Sequence, residues 1–497
     1  MTGTGHRVAR PAQPAGFALC AAGALAIGSL MATPALAQSV DLSQWSPEYV
    51  RSIAGTATYD TAGDCGKVVP NDHSGRVSYW YTGPFEADPK IMHDIDKEFW
   101  AAFAKAYPNI RTDVQSITYN ELLDKFRTAL LGNAAPMVVR LQILGGVEFA
   151  AKGYLNPLKP EDVGYASADF WPGALKSVTW EGTGYGIPTN NETMALIWNA
   201  KLFADAGLDP DKPPATWDDV VAYSKQIHDK LGVAGYGLVA KQNAGNTPFR
   251  FMPMLWAYGG GALDEASDAP GYSDVWINNE GSQAALQAIS DMYVRDKSVP
   301  TSALTNTQAE NQAPFIAGQL GMMIAHPSEY AKMLDLASKA TGSDKAVADE
   351  VVANMRYGLI PKGPARRAVV FGGSNIHAVK PEYVDGDYDE QAVKALICMW
   401  TSPEWSTKLA WVSSNPGHLG GFRTEWMKQR LDSIKFLDVT TSMLPNGIPF
   451  PVLPEAPEIM NIIVPDMMQN VLTGNMTVAD AANDAATKVK ALVGGGL

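Results

Sequence analysis

Arg76-Val77-Ser78-Tyr79-Trp80-Tyr81 is rich in β-branched and aromatic residues and stops at Thr82-Gly83-Pro84, the pattern of a strand with a turn behind it. Ile95, Phe99 and Phe103 then recur at helical spacing, so one face of a helix is apolar, and Pro108 closes it. Ile110–Val114 predicts a second strand, Glu121–Leu131 a second helix ending near Gly132-Asn133, and Met137–Leu141 a third strand. Such strand–helix alternation predicts an α/β fold with a mostly parallel sheet and helices on both faces.

A second α/β stretch begins at Tyr185. Met194–Trp198 predicts a strand, and Lys201–Ala206 a helix capped by Gly207. Thr216-Trp217-Asp218-Asp219 has the form of a capping box with Asp in place of Glu, opening a helix to about Lys230. Further strands are expected at Tyr236–Ala240, Leu320–Ala325, Tyr357–Pro361 and Asn375–Val379. Helices are expected at Ser282–Asp296, Asp389–Trp400, Pro403–Trp411, Ile459–Thr473 and Thr477–Val493.

The chain has 497 residues, room for two to four domains or two large lobes at about 150 residues each. Its 46% hydrophobic residues supply sizeable cores, and a net charge of −13 argues against nucleic acid and anionic membranes as partners. Residues 1–37 have the order of an export signal: Arg7 and Arg10, an apolar run from Gly16 to Met31, then Ala35-Leu36-Ala37 as the cleavage pattern. The expected location is therefore the periplasm. The stretch 38–70 is polar with little periodicity and is expected to pack on the main body. Of the three cysteines, Cys20 falls in the signal, and Cys65 and Cys398 can pair only if the fold brings them close.

Catalytic signatures are missing: no HExxH, GxSxG, GxxxxGK[ST] or GxGxxG occurs. The seven histidines have no metal-ligand spacing, so neither a metal nor another cofactor is expected. Asp94, Asp96 and Glu98 are expected at a solvated helix N-terminus. Aromatics and amides instead gather at strand ends and turns: Trp80-Tyr81-Thr82, Pro188-Thr189-Asn190-Asn191-Glu192 and Gln242-Asn243-Ala244-Gly245-Asn246. Aromatic faces take the C–H surface of sugars, and amides and carboxylates pair with hydroxyls. In open α/β sheets ligands bind beyond the carboxyl ends of strands, where these clusters fall.

The order of motifs resembles the family 1 extracellular solute-binding proteins, the sugar-capturing subunits of ATP-driven (ABC) importers, over about residues 74–495. Phe149-Ala150-Ala151-Lys152-Gly153-Tyr154-Leu155-Asn156-Pro157-Leu158 is similar to the family's helix and turn after the third strand. Tyr185-Gly186-Ile187-Pro188, Leu196-Ile197-Trp198-Asn199 and Leu202-Phe203 resemble its "G-I-P … L-x-Y-N-x-x-L-F" stretch. Ala206-Gly207-Leu208-Asp209-Pro210 and Pro214-Ala215-Thr216-Trp217-Asp218-Asp219 resemble "A-G-L-D-P … P-x-T-W-D-E". Phe315–Ile324 and the glycine turn Phe371-Gly372-Gly373-Ser374-Asn375 complete the likeness.

That resemblance implies a periplasmic-binding-protein fold, two α/β lobes joined by a hinge the chain crosses several times, with the ligand cleft between them. It implies a first lobe of 60–183 and 362–409, a second of 187–358 and 412–497, and an extension at 38–59. The implied function is capture of a sugar, oligosaccharide or polyol derivative and its delivery to an ABC permease by a monomer without catalytic residues. The alternative is a secreted carbohydrate-active hydrolase or lyase. Implied ligand contacts are Trp80, Tyr81, Thr82, Gln142, Gly145, Asn190, Asn191, Glu192, Asn243, Asn246, Arg250, Gly372, Gly373, Ser374, His418 and Arg423. The sequence departs from the family at His326-Pro327-Ser328-Glu329, where relatives carry a stacking aromatic. Arg140, Lys241, Arg250 and Arg423 could place positive charge near the cleft, which would suit an acidic or phosphorylated ligand.

Overall fold

Strand β1 (Gly75–Tyr81), helix α1 (Lys90–Ala106), β2 (Ile110–Ser116), α2 (Leu122–Leu131) and β3 (Val138–Gln142) follow one another as the periodicity predicts. The helices bury Ile95, Phe99 and Phe103, and Leu122, Phe126 and Leu130, on a shared core. After α3 (Gly146–Ala151) come β4 (Ile187–Glu192) and β5 (Ala195–Asn199). Helix α4 (Trp217–Leu231) starts at a working capping box: the Asp219 amide donates to Thr216 Oγ1 at 3.0 Å and the Thr216 amide to the Asp219 carboxylate at 2.9 Å. The remaining elements that frame the site are β6 (Ala234–Tyr236), α5 (Asn246–Ala257), β7 (Leu320–Ala325), α6 (Pro327–Lys339), β8 (Met355–Gly358), β9 (Gly372–Ala378), α7 (Glu390–Thr401) and β10 (Asn415–Pro416). The computed structural model describes residues 65–84, 90–119, 121–242, 246–267, 272–410, 414–433 and 435–494; the export signal expected at 1–37 and most of the 38–70 stretch lie outside them.

Two main sheets form among the described residues. The first has the order β10-β4-β9-β3-β1-β2 and the second β8-β5-β7-β6. Only β1 with β2, β1 with β3, and β6 with β7 run parallel. The expectation of a mostly parallel sheet therefore holds for the opening β-α-β-α-β unit alone. Strands β4, β9 and β10 run antiparallel to their neighbours in the first sheet; β9 arrives from the second core, and the chain leaves toward it after β4 and after β10. Each sheet carries its own core. Phe99, Phe126, Leu396 and Trp400 pack around β1–β3, and Trp217, Met252, Trp256, Phe315 and Ile324 pack around β5 and β7.

The chain changes sheet across Thr193-Met194, which are 1% and 5% exposed. The family resemblance implies a lobe boundary at 184–186. Pairing of β4 with β9 and β10 instead keeps 187–192 in the first sheet. A second change lies between β8 and β9, where Ala368–Phe371 pack on the second core. A third follows β10, with Leu419 and Phe422 in the second core. Each change threads chain between the sheets, as a hinge of several strands requires.

Cys65 and Cys398 form a disulfide, with Cα atoms 5.9 Å apart and a sequence separation of 333. It fastens the segment before β1 to α7. Tyr165 reinforces the junction, its hydroxyl donating to the Cys398 carbonyl at 2.7 Å. A cross-link restricts the unfolded chain and typically contributes about 2–4 kcal/mol. Cys398→Ser is expected to lower the unfolding free energy by roughly that amount in urea titrations, and reductant to have the same effect on the unaltered protein only.

Candidate functional site

One edge of the first sheet assembles the polar residues. In register, Gln142 of β3 stands opposite Ser374 of β9, Ser374 opposite Asn190 of β4, and Asn190 opposite Pro416 of β10. β3 and β4 end at this edge, as ligand-binding edges of open α/β sheets do. Ala195, just past Glu192, pairs with Ala325 at the end of β7, so His326 of the second sheet's layer arrives at the same place.

Buried charge is organised along the edge in linked pairs. Arg140 of β3 donates from Nε to Thr189 Oγ1 at 2.9 Å and from Nη2 to Asn190 Oδ1 at 2.6 Å. Burial holds its guanidinium pKa below the ordinary arginine value. Glu192 accepts from the Ser414 hydroxyl at 3.2 Å and lies 2.7 Å from His326 Nε2. Burial pushes the Glu192 carboxyl up, but His326, Ser414 and Arg140 outweigh it and hold the pKa below the usual carboxylate value. On the second layer, Arg250 of α5 pairs with Glu329 of α6, both nearly inaccessible, while Arg250 Nη1 also donates to the Asn246 carbonyl at 3.1 Å.

Gly372 and Gly373 lie inside β9, not in the turn the sequence suggests. A side chain at Gly372 would start 2.9 Å from both Glu192 Cγ and Phe249 Cε1. Gly373 has φ near +143°, and a Cβ there would fall 2.2 Å from the Asn190 carbonyl oxygen. The pair therefore lets β9 press against β4 where Asn190 and Glu192 project.

Several sequence-derived contacts serve other purposes. Tyr81 is 2% exposed, and its hydroxyl donates to Asp96 at 2.6 Å inside the first core. Asp96 is thereby no solvated helix-start acid, and burial raises its pKa. Asn191 points to the opposite side from its neighbours, and its Nδ2 ties β4 to the Pro416 carbonyl at 3.0 Å. Gly145 is buried at the start of α3. His418 is fully buried, with rings of Tyr165 and Phe170 each 5.1 Å away and Nδ1 accepting from the Gly420 amide. Burial lowers its pKa to about 4, as suits a neutral core histidine. These four are structural because the pleat or a turn aims them into a core. Trp80 is half-buried with Lys125 Nζ 4.9 Å over its ring, so one face is already taken. Thr82 and Arg423 are half-buried at loop positions, Arg423 ending a 3-10 turn. Asn243 lies outside the described residues.

Tyr119 is the residue the sequence reading misses. It follows β2 on a short loop, and Gln142 Nε2 holds its carbonyl at 3.0 Å. It is 39% exposed and is the one exposed aromatic among the described residues. Burial raises the phenol pKa, with the Glu192 carboxylate adding and Arg250 opposing. The phenol thus lies in electrostatic reach of both layers while its ring borders open space. The sequence signal, a lone Tyr in Thr118-Tyr119-Asn120-Glu121, is too ordinary to mark it. His326 and Glu329, noted from sequence only as a departure, likewise join the site. Gln142, Asn190, Glu192, Gly372 and Ser374 lie at the same strand ends, with Arg250 of α5 near them. No group of three or more His, Cys, Asp or Glu able to hold a metal occurs among the described residues, nor any helix long and apolar enough to cross a membrane.

The model of the family "Bacterial extracellular solute-binding protein" matches residues 90–405. A binding protein of Brucella abortus (strain 2308) is 24% identical over 409 residues, 80% of this chain and 89% of that protein. The GacH receptor of Streptomyces glaucescens, solved unliganded and with acarbose, superposes with TM-score 0.69 at 22% identity, covering 85% of this chain and 99% of that one. An ABC transporter solute-binding protein of Thermotoga lettingae bound to α-D-tagatose gives TM-score 0.68 at 23% identity, covering 85% and 100%.

Removing one member of a buried ion pair leaves the other uncompensated, at a cost of about 3–5 kcal/mol. Arg250→Leu is expected to destabilise the protein by that amount in urea unfolding. The double change Arg250→Leu with Glu329→Leu is expected to recover most of the loss, and a double variant as unstable as the single one would show that the pairing is not the source.

Proposed function

This chain belongs to the bacterial extracellular solute-binding proteins and has their two-lobe α/β fold, and we propose that it captures a neutral carbohydrate or polyol between its lobes and hands it to an ABC importer. The lobes divide at the three sheet changes, 193–194, the segment between β8 and β9, and the segment after β10. Glu192, Asn190, Gln142 and Tyr119 from the first layer and Arg250 from the second line the cleft. The periplasm is the place of action, with the export signal at 1–37 as the means of reaching it. The protein works as a monomer and as a carrier without turnover.

One observation carries the choice of a neutral ligand. Both cleft arginines are already engaged, Arg140 by Thr189 and Asn190 and Arg250 by Glu329. An anionic ligand would meet an Arg250 charge already balanced by Glu329 and would lie beside the Glu192 carboxylate, whereas hydroxyls can pair with the amide, phenol and carboxylate atoms. This favours the neutral reading over the acidic or phosphorylated ligand raised from the sequence. The relatives solved with acarbose and with α-D-tagatose support a carbohydrate class.

Purified protein should be titrated calorimetrically with maltose, D-tagatose, acarbose, a sugar acid and a sugar phosphate. At least one neutral ligand is expected to bind with an affinity that salt hardly alters, and the charged ones to bind more weakly. Tyr119→Ala and Glu192→Gln are each expected to weaken binding about tenfold or more, the cost of an unpartnered polar contact. Preferential, salt-sensitive binding of the sugar phosphate would overturn the neutral reading. Release of cleaved product would favour the enzyme alternative.

A further inference from the structure

Glu192 and His326 meet across the first sheet change. Glu192 ends β4 in the first sheet, opposite Gly372 in register, and also receives the Ser414 hydroxyl. His326 follows β7 in the second sheet and is the N-cap of α6. Their closest atoms are 2.7 Å apart, with side chains only 21% and 12% exposed. With Nδ1 accepting, the neutral ring carries its proton on Nε2 beside the carboxylate, and protonation adds a full positive charge to that contact.

The other ring nitrogen has its own task. His326 Nδ1 accepts from the Ser328 amide at 3.1 Å, capping α6, and lies 2.7 Å from Ser328 Oγ. A protonated imidazole cannot accept at Nδ1 and must donate to Ser328 Oγ instead. Proton binding therefore gives up a helix cap and turns a polar contact into a cross-sheet ion pair. Charged and titratable groups surround the pair: Arg140 and the neutral Tyr119 phenol face Glu192 from the first layer, and Glu329 and Arg250 face His326 from α6 and α5.

We propose that His326 is a positioning residue that braces Glu192 across the first crossover, so that the set of the Glu192 carboxylate toward the cleft, and with it ligand affinity, depends on protonation. This rests on the reading of Glu192 as a ligand contact. Burial pushes the imidazole pKa down, but Glu192 and then Glu329 outweigh it and raise it above the usual value, against Arg250. A raised histidine pKa gives an interaction that is full at lower pH and lost as pH rises through that value. The lowered Glu192 pKa sets the other limit, below which the carboxylate is protonated. The brace operates between the two.

The first experiment is ligand-free. Nitrogen-15 histidine NMR of the mature protein should show His326 titrating above the free imidazole value of about 6.5, and Glu192→Gln should bring it down. An unchanged midpoint in E192Q overturns the brace. The second measures affinity for maltose, D-tagatose and acarbose at pH 6 and pH 8.5 in folded variants checked by circular dichroism. The unaltered protein is expected to bind roughly fivefold or more tightly at pH 6. His326→Gln should be weak and flat across the same range, and His326→Lys, which keeps a cation, should restore tight binding at both. Equal pH dependence in the unaltered protein and H326Q overturns the positioning role. If the unaltered protein binds none of the three probes, the carbohydrate reading falls, and the NMR titration alone decides the brace.

Discussion

Two residues, Thr193 and Met194, stand between a strand of one sheet and a strand of the other, and this short span governs the rest of the molecule. Because β4 and β5 are so closely joined, the ends of both sheets must converge where Glu192 and His326 lie. Thr193 is anchored as well, its hydroxyl donating to the Thr440 carbonyl at 2.6 Å. Anything bound at this edge touches residues from both layers. A relative rotation of the layers is therefore felt first at the polar groups beside the crossover.

Those groups are arranged at a cost the fold must meet elsewhere. Buried charges in an apolar setting are tolerated only when paired and hydrogen-bonded. Here Glu192 pairs with His326 and Arg250 with Glu329, Arg140 is held by Thr189 and Asn190, and the apolar cores on either side hold their elements in register. The glycines of β9 belong to the same solution. They remove the side chains that would otherwise separate β9 from β4 and fill the space above Glu192.

Much of this was legible in the sequence, and the failures have physical causes. The helical spacing of Ile95, Phe99 and Phe103 and the box at Thr216 specify local structure, so those elements emerge as read. Strand direction in β9 and β10 depends on how a distant segment returns, which no local pattern encodes. The Asn190-Asn191-Glu192 run marks the correct place, yet alternation along β4 sends Asn191 away from its neighbours. His418 sits in a glycine-rich turn that looks exposed, but Tyr165 and Phe170 enclose it from far along the chain. Tyr119 is the converse case, an unremarked residue made prominent by what surrounds it.

The disulfide has a consequence for how the chain is made. Cys65 leaves the ribosome 333 residues ahead of its partner. At typical elongation rates of about 5–20 residues per second, roughly 17–67 seconds separate the two thiols. Through that interval nearly the whole of both layers is being synthesised while the bond cannot yet form. The bond therefore cannot form before α7 has been made, and it requires an oxidising compartment once both thiols are present.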